Sequence, residues 1–176
     1  MIEQFLGDEF DDAGGYIAEV IYGANDGIVT TFAVVAGVAG AALDPAIVLI
    51  LGVANLLADG FSMGMSNYLS QHSERDYRAA RGTTVADARP PRYTAAVTFL
   101  SFVVAGWAPL VPYAFGIDAT FRLSVVVTGI AFFVVGASRT LVTDRRWYRA
   151  GAEMFAIGML AAAVAYAAGV TLGGLA

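Results

Sequence analysis

Apolar residues in this chain fall into long runs separated by short charged patches. The charges crowd into the first twelve residues, the stretch from Glu74 to Arg92 and the stretch from Arg139 to Arg149. Between them lie apolar runs of about 20 residues, the length a helix needs to cross the hydrocarbon core of a bilayer. Five helices are expected, over approximately 17–41, 46–71, 93–116, 119–141 and 148–174. Local signals set their limits. Gly14-Gly15 break the chain before the first helix, and Asp44-Pro45 supply an N-cap followed by proline at the first helical position of the second. Pro90-Pro91 end the longest loop, Asp118 is placed to cap the fourth helix, and Asp144-Arg145-Arg146-Trp147 separate the fourth from the fifth. Pro109 and Pro112 fall inside the third helix, where a kink is tolerated if neighbouring helices or waters satisfy the freed carbonyls.

Composition supports the same reading. Of 176 residues, 58% are hydrophobic and only 14% charged, whereas soluble domains carry about 25% charged residues. The fold class expected is an all-α integral membrane protein. Residues 1–15 form an acidic segment and 16–176 a single five-helix transmembrane domain. There is no cysteine, which excludes disulfides and thiolate metal sites. Glu3, Asp8, Glu9, Asp11 and Asp12 make the N-terminus acidic, unlike the basic start of a secretory signal. No internal repeat divides the chain.

Charge placement orients the spans. Arg75, Arg78, Arg81, Arg89 and Arg92 lie between the second and third helices, and Arg139, Arg145, Arg146 and Arg149 at the junction of the fourth and fifth. Only Arg122 falls on the opposite side. Positively charged loops stay in the cytoplasm, so the N-terminus is expected inside and the C-terminus outside. The chain is expected to be multi-pass, in the cell membrane if its source is prokaryotic, with lipid around it and no nucleic-acid partner.

Two carboxylates interrupt the apolar runs: Asp26 in the first helix and Asp59 in the second. A carboxylate at mid-bilayer costs roughly 2.5–3.5 kcal/mol on insertion scales and marks a functional site by default. At ~1.5 Å per residue, Asp26 lies about 14 Å from the cytoplasmic end, Met63 about 12 Å and Asp59 about 18 Å, so the three can share a layer. Asn55, Asp59, Ser62, Met63, Ser66 and Asn67 follow helical spacing on one face, and Tyr22, Asn25, Asp26 and Thr30 do so on the first helix. Two half-polar helices at matched depth predict a shared hydrophilic path. Carboxylate and amide alone would suit Ca²⁺ or Mg²⁺; a thioether from Met63, with Met65 as a second candidate, tilts the site toward Fe²⁺ or Mn²⁺. Metal binding to such a carboxyl is linked to loss of its proton, which offers a route to metal/proton exchange.

The candidate metal ligands are therefore Asp26, Met63, Asp59, Asn55 and Glu153. Each has a plainer alternative. Methionine often only packs, and that is the reading adopted for Met159. Asn55 and Asn67 are also suited to joining helices by hydrogen bonds. Glu153 fits either a ligand at the cytoplasmic mouth or an arginine-paired carboxylate, and His72 an interfacial residue. Gly23/Gly27, Gly60/Gly64 and Gly169/Gly173 read as packing seams. Asp26 and Asp59 on neighbouring helices also raise an intramembrane aspartyl protease, but the Gly-x-Gly-Asp motif is missing: Gly23, Ala24 and Asn25 precede Asp26. A metal-binding membrane protein without transport is a third reading.

Residues Tyr22 to Ala41, YGANDGIVTTFAVVAGVAGA, and Asn55 to Asp76, NLLADGFSMGMSNYLSQHSERD, resemble the signature segments of the vacuolar iron transporter (VIT) family. TFLSFVVAGWAPLVPY and GAEMFAIGMLAAAVAY also fit, so the resemblance spans residues 16–174. It implies a five-helix homodimer with no permanently bound cofactor. The implied activity is moving Fe²⁺, and often Mn²⁺, out of the cytoplasm in exchange for protons, along a path near the two-fold axis. It also implies transport roles for Asp26 and Met63. Two departures stand out. Many members carry an acidic residue where this chain has Asn55 and a small one where it has Asp59, which reads as a carboxylate displaced by one turn on the same face. The loop over roughly 72–92 is too short for the glutamate- and methionine-rich domain that plant-type members insert there.

Overall fold

The computed structural model describes residues 16–83, 89–116, 120–141, 143 and 145–175. The acidic segment 1–15, with Gly14-Gly15, and the expected cap Asp118 and separator Asp144 lie outside the described residues. The helices are α1 (Ile17–Gly40), α2 (Pro45–Ala80), α3 (Pro91–Gly106), α4 (Val111–Ala114), α5 (Thr120–Ser138) and α6 (Trp147–Gly173). They supply five stretches long and apolar enough to span a membrane, α3 and α4 together forming the third. The chain is an all-α, multi-pass membrane protein.

Close approaches fix the topology. Gly23 and Gly27 of α1 abut Thr98, Ser101 and Phe102 of α3, and Gly37 and Ala41 abut Gly169 and Gly173 at the end of α6, so α1 runs parallel to both. Gly64 meets Ala95 while Gly52 meets Leu110, so α2 runs antiparallel to α3. All three small-residue pairs serve as seams. A Cβ on Gly27 would fall 2.9 Å from the Phe102 carbonyl carbon, and one on Gly173 would fall 2.8 Å from Ala41 Cα. Both contacts are with backbone, which cannot rotate away, so the helices touch only because nothing larger than hydrogen stands there. α1 is the central helix. Phe32, Phe102 and Phe132, from three different spans, are at most 1% exposed and fill the core around it. The outer surface is apolar instead of charged: Ile50, Phe61, Val104, Ile130 and Leu160 are all exposed, as lipid requires.

The turn between α1 and α2 follows from its residues. Ala42 N–H donates to Ala39 O and Leu43 N–H to Val38 O, a Schellman closure with Ala42 at φ 54°. Asp44 then caps α2, its Oδ1 accepting from Ala46 N–H at 2.8 Å, with Pro45 in the first turn. That is the start expected from the Asp-Pro pair.

Two elements differ from expectation. The second helix does not stop near Gln71 but continues to Ala80. Hydropathy ends there; helix propensity does not. Pairs four residues apart extend it: His72 with Asp76 at 3.3 Å, Glu74 with Arg78, and Arg81 over the Tyr77 ring at 4.6 Å. Gly82, at φ 71°, ends the helix with a second Schellman closure, Thr83 N–H bonding Arg78 O. The third span is broken, not merely kinked. A 3₁₀ turn, Ala108–Leu110, separates α3 from α4, because Pro109 and Pro112 bring no N–H. The buried Ser124 Oγ donates to the Pro109 carbonyl at 2.7 Å, so a neighbouring helix bonds the backbone at the break.

Candidate functional site

The antiparallel register of α1 and α2 lays their polar stripes side by side. Tyr22 from α1 and Met63, Ser66, Asn67, Ser70 and Gln71 from α2 line one groove of about 300 Å³. It starts at the arginine-rich end, where Gln71 and Ser70 lie, and runs inward to Met63. Asp26 sits one turn deeper than Tyr22, and Asp59 one turn deeper than Met63. Both carboxylates are half-buried and within electrostatic reach of each other. Among the described residues neither meets an arginine. Two acids brought together in a low-dielectric layer without a counter-charge repel, and a cation between them removes the repulsion.

The two asparagines take different roles. Asn67 Nδ2 donates to Thr98 Oγ1 at 3.1 Å, and its Oδ1 accepts from Gln71 Nε2 at 2.7 Å; that same Nε2 reaches Thr94 Oγ1, also at 2.7 Å. Thr94 and Thr98 are buried in α3, so this network clamps α2 to α3. Asn55 makes no such bond: its Nδ2 is buried without a hydrogen-bond partner. Leaving a buried donor unpaired costs about 1–3 kcal/mol. The helix-joining reading thus holds for Asn67 and has no support at Asn55.

The remaining expected residues separate as well. Met63 is half-buried at the groove wall, whereas Met65 points outward at 40% exposure. Met159 packs against the core. Thr30 turns back on its own helix, its Oγ1 donating to Asp26 O at 2.9 Å. Glu153 is exposed on α6 and lies 3.3 Å from Arg145. No three described histidine, aspartate or glutamate side chains come together, so Glu153 does not join Asp26 and Asp59 in one cluster.

Sequence reasoning missed Glu19. It is half-buried in the first turn of α1, and its Oε2 is buried with no hydrogen-bond partner. Glu19, Tyr22 and Asp26 are spaced i, i+3, i+7 and therefore share a face. That spacing was available in the sequence, but an acid in a first helical turn also has an ordinary role opposite the helix dipole.

Comparison with known proteins shows the family. The profile described as the VIT family matches residues 17–88 and 82–170, the two stretches meeting at the loop after α2. A vacuolar iron transporter of Toxoplasma gondii is 50% identical over 62 residues, which is 35% of this chain and 20% of that protein. The chain spans about a fifth of the length of this and the Plasmodium falciparum relative it matches. Vacuolar iron transporter 1 of Arabidopsis thaliana aligns more widely, 26% identical over 213 residues, covering 88% of this chain and 85% of that protein. Vacuolar iron transporter homolog 5 of Oryza sativa is 33% identical over 132 residues, with 69% and 64% covered. With the match running from the first span into the last, the chain belongs to the VIT family.

Proposed function

We propose that this chain is a transporter, not an enzyme, that carries a divalent transition metal, Fe²⁺ or Mn²⁺, out of the cytoplasm in exchange for protons. The observation that supports the reading is that Asp26 and Asp59 lie within electrostatic reach of each other, each one turn deeper than Tyr22 and Met63, which line a polar groove between antiparallel helices. Asp26 and Met63 are the core ligands. Asp59 is a ligand or proton carrier, and Asn55 a neutral ligand through its Oδ1 or a structural amide. The relatives are named for vacuolar iron transport, which supports iron as cargo. The arginine-rich end is the cytoplasmic one, so metal enters past Ser70 and Gln71. Glu153, paired with Arg145, stands apart from this path, at the mouth of α6.

The site is completed by a second copy. Tyr22, Ser62, Ser66 and Ser70 are exposed along the α1–α2 edge. Polar side chains in lipid require partners, and a two-fold mate placing its own α1–α2 edge here supplies them. Two protomers bring four carboxylates and two thioethers to one axis.

Proteoliposome flux with Fe²⁺, Mn²⁺, Zn²⁺ and Ca²⁺, with and without a pH gradient, tests the proposal. Fe²⁺ or Mn²⁺ entering the lumen is expected to alkalinise it in proportion to metal moved, and Asp26→Asn abolishes this; acidification on metal entry would overturn exchange. Metal binding without flux would leave only a metal-holding membrane protein; flux indifferent to Asp26→Asn would remove the site.

A further inference from the structure

A second concavity, about 310 Å³, lies at the arginine-rich end between α2 and the start of α3. Tyr68, His72 and Arg75 from α2 and Pro90, Pro91 and Arg92 from the other side line it. It is separate from the metal groove, whose α2 residues are Met63, Ser66, Asn67, Ser70 and Gln71. Its depth is informative. His72 lies about 40 Å along α2 from Pro45, and a bilayer measures about 40–45 Å from headgroup to headgroup. The concavity therefore opens at the headgroup layer.

Its chemistry suits an oxyanion. Arg75 is held at the wall by donating to the Arg89 carbonyl. Arg92 lies over the Tyr93 ring, 4.8 Å from its centroid. The acid in the lining, Asp76, is 3.3 Å from His72 Nδ1 and so faces the imidazole. Tyr68 stands edge-on to His72, with ring centroids 5.8 Å apart. Two arginines from different helices thus line one small space, and paired guanidiniums are the groups that grip phosphate oxygens. Beside it the outer surface is apolar and exposed at Leu69 and Tyr93, as an acyl chain requires.

We propose that this concavity binds a phosphate group, supplied by an anionic phospholipid of the adjoining leaflet. Basic pockets between spans at a charged membrane face take lipid headgroups in this way. The site does not depend on the transport reading.

The test is native mass spectrometry of the purified full chain with phosphatidylglycerol and phosphatidylcholine of matched acyl chains, alongside inorganic phosphate. Phosphatidylglycerol is retained preferentially, and Arg92→Gln lowers that preference about fivefold, the weight of one arginine at a membrane surface. Arg81→Gln, which alters an arginine stacked on Tyr77, leaves it intact. Equal retention of the two lipids, or an unchanged preference in Arg92→Gln, overturns the proposal. Inorganic phosphate that displaces phosphatidylglycerol and stabilises lipid-free protein equally assigns the pocket to the free ion and overturns the lipid source. The comparison of lipids on the unmodified chain needs no variant, so it decides even if Arg92→Gln does not fold.

Discussion

Asn67 reaches across from α2 to donate to Thr98 Oγ1 of α3 at 3.1 Å, one turn from Met63. The bond fixes the rotation of α2 at the level where its polar stripe faces α1. Thr98→Val removes the acceptor while keeping the shape, and leaves the Asn67 amide short of a partner. Stability in detergent should fall by roughly 0.6–1.7 kcal/mol, the range for hydrogen bonds between membrane helices, read as a lower melting temperature. Because Thr98 does not line the groove, residual flux in this variant separates helix clamping from metal handling.

The carboxylate of α2 stands at Asp59, one turn from Asn55, on the same face. Asp59→Ala should therefore abolish flux, and adding Asn55→Glu to it should restore a substantial part. Flux measured in proteoliposomes checks this; a double variant as dead as the single one would tie function to the Asp59 position itself.

Glu19 places a buried, unpaired carboxylate oxygen two turns from Asp26, toward the groove mouth. As an access group it raises the local cation concentration without holding the metal. Glu19→Gln should weaken apparent metal affinity about tenfold, worth ~1.4 kcal/mol, and leave the maximal rate nearly unchanged. Initial rates across metal concentrations distinguish this from a core ligand, whose loss removes the rate.

The two Schellman closures form a matched pair: Gly82 occupies the left-handed position at the end of α2, and Ala42 occupies it at the end of α1. An L side chain there costs about 1–2 kcal/mol. Ala42→Gly should stabilise the protein, by about 1 kcal/mol or less after the greater freedom of unfolded glycine is subtracted, and Gly82→Ala should destabilise it. Thermal melts of the two variants are expected to move in opposite directions.

The spans were legible because charge is confined to short patches, and the α2 start because aspartate and proline each have a specific place in a first turn. The packing seams were legible too, since glycines four apart lie on one face. The length of α2 was not. Hydropathy ends at the lipid boundary, whereas the helix ends where its backbone is capped, at Gly82. The two prolines of the third span announced a disturbance but not its form, which depended on Ser124 of another helix. The pairing of Asp26 with Asp59 came from counting depth along two antiparallel rods. Telling Asn55 from Asn67 was beyond that count, because the difference is whether a threonine stands opposite.

α2 is 36 residues long, about 54 Å at ~1.5 Å per residue, nearly twice the ~30 Å of hydrocarbon it must cross. Its charged portion is thus a mast fixed to the same rod that bears Asp59 and Met63. A small tilt imposed on Tyr77 or Arg78 from outside the lipid swings the turn that carries Asp59 and Met63 by leverage. A spin label on the mast accordingly reads the posture of a layer that it never touches.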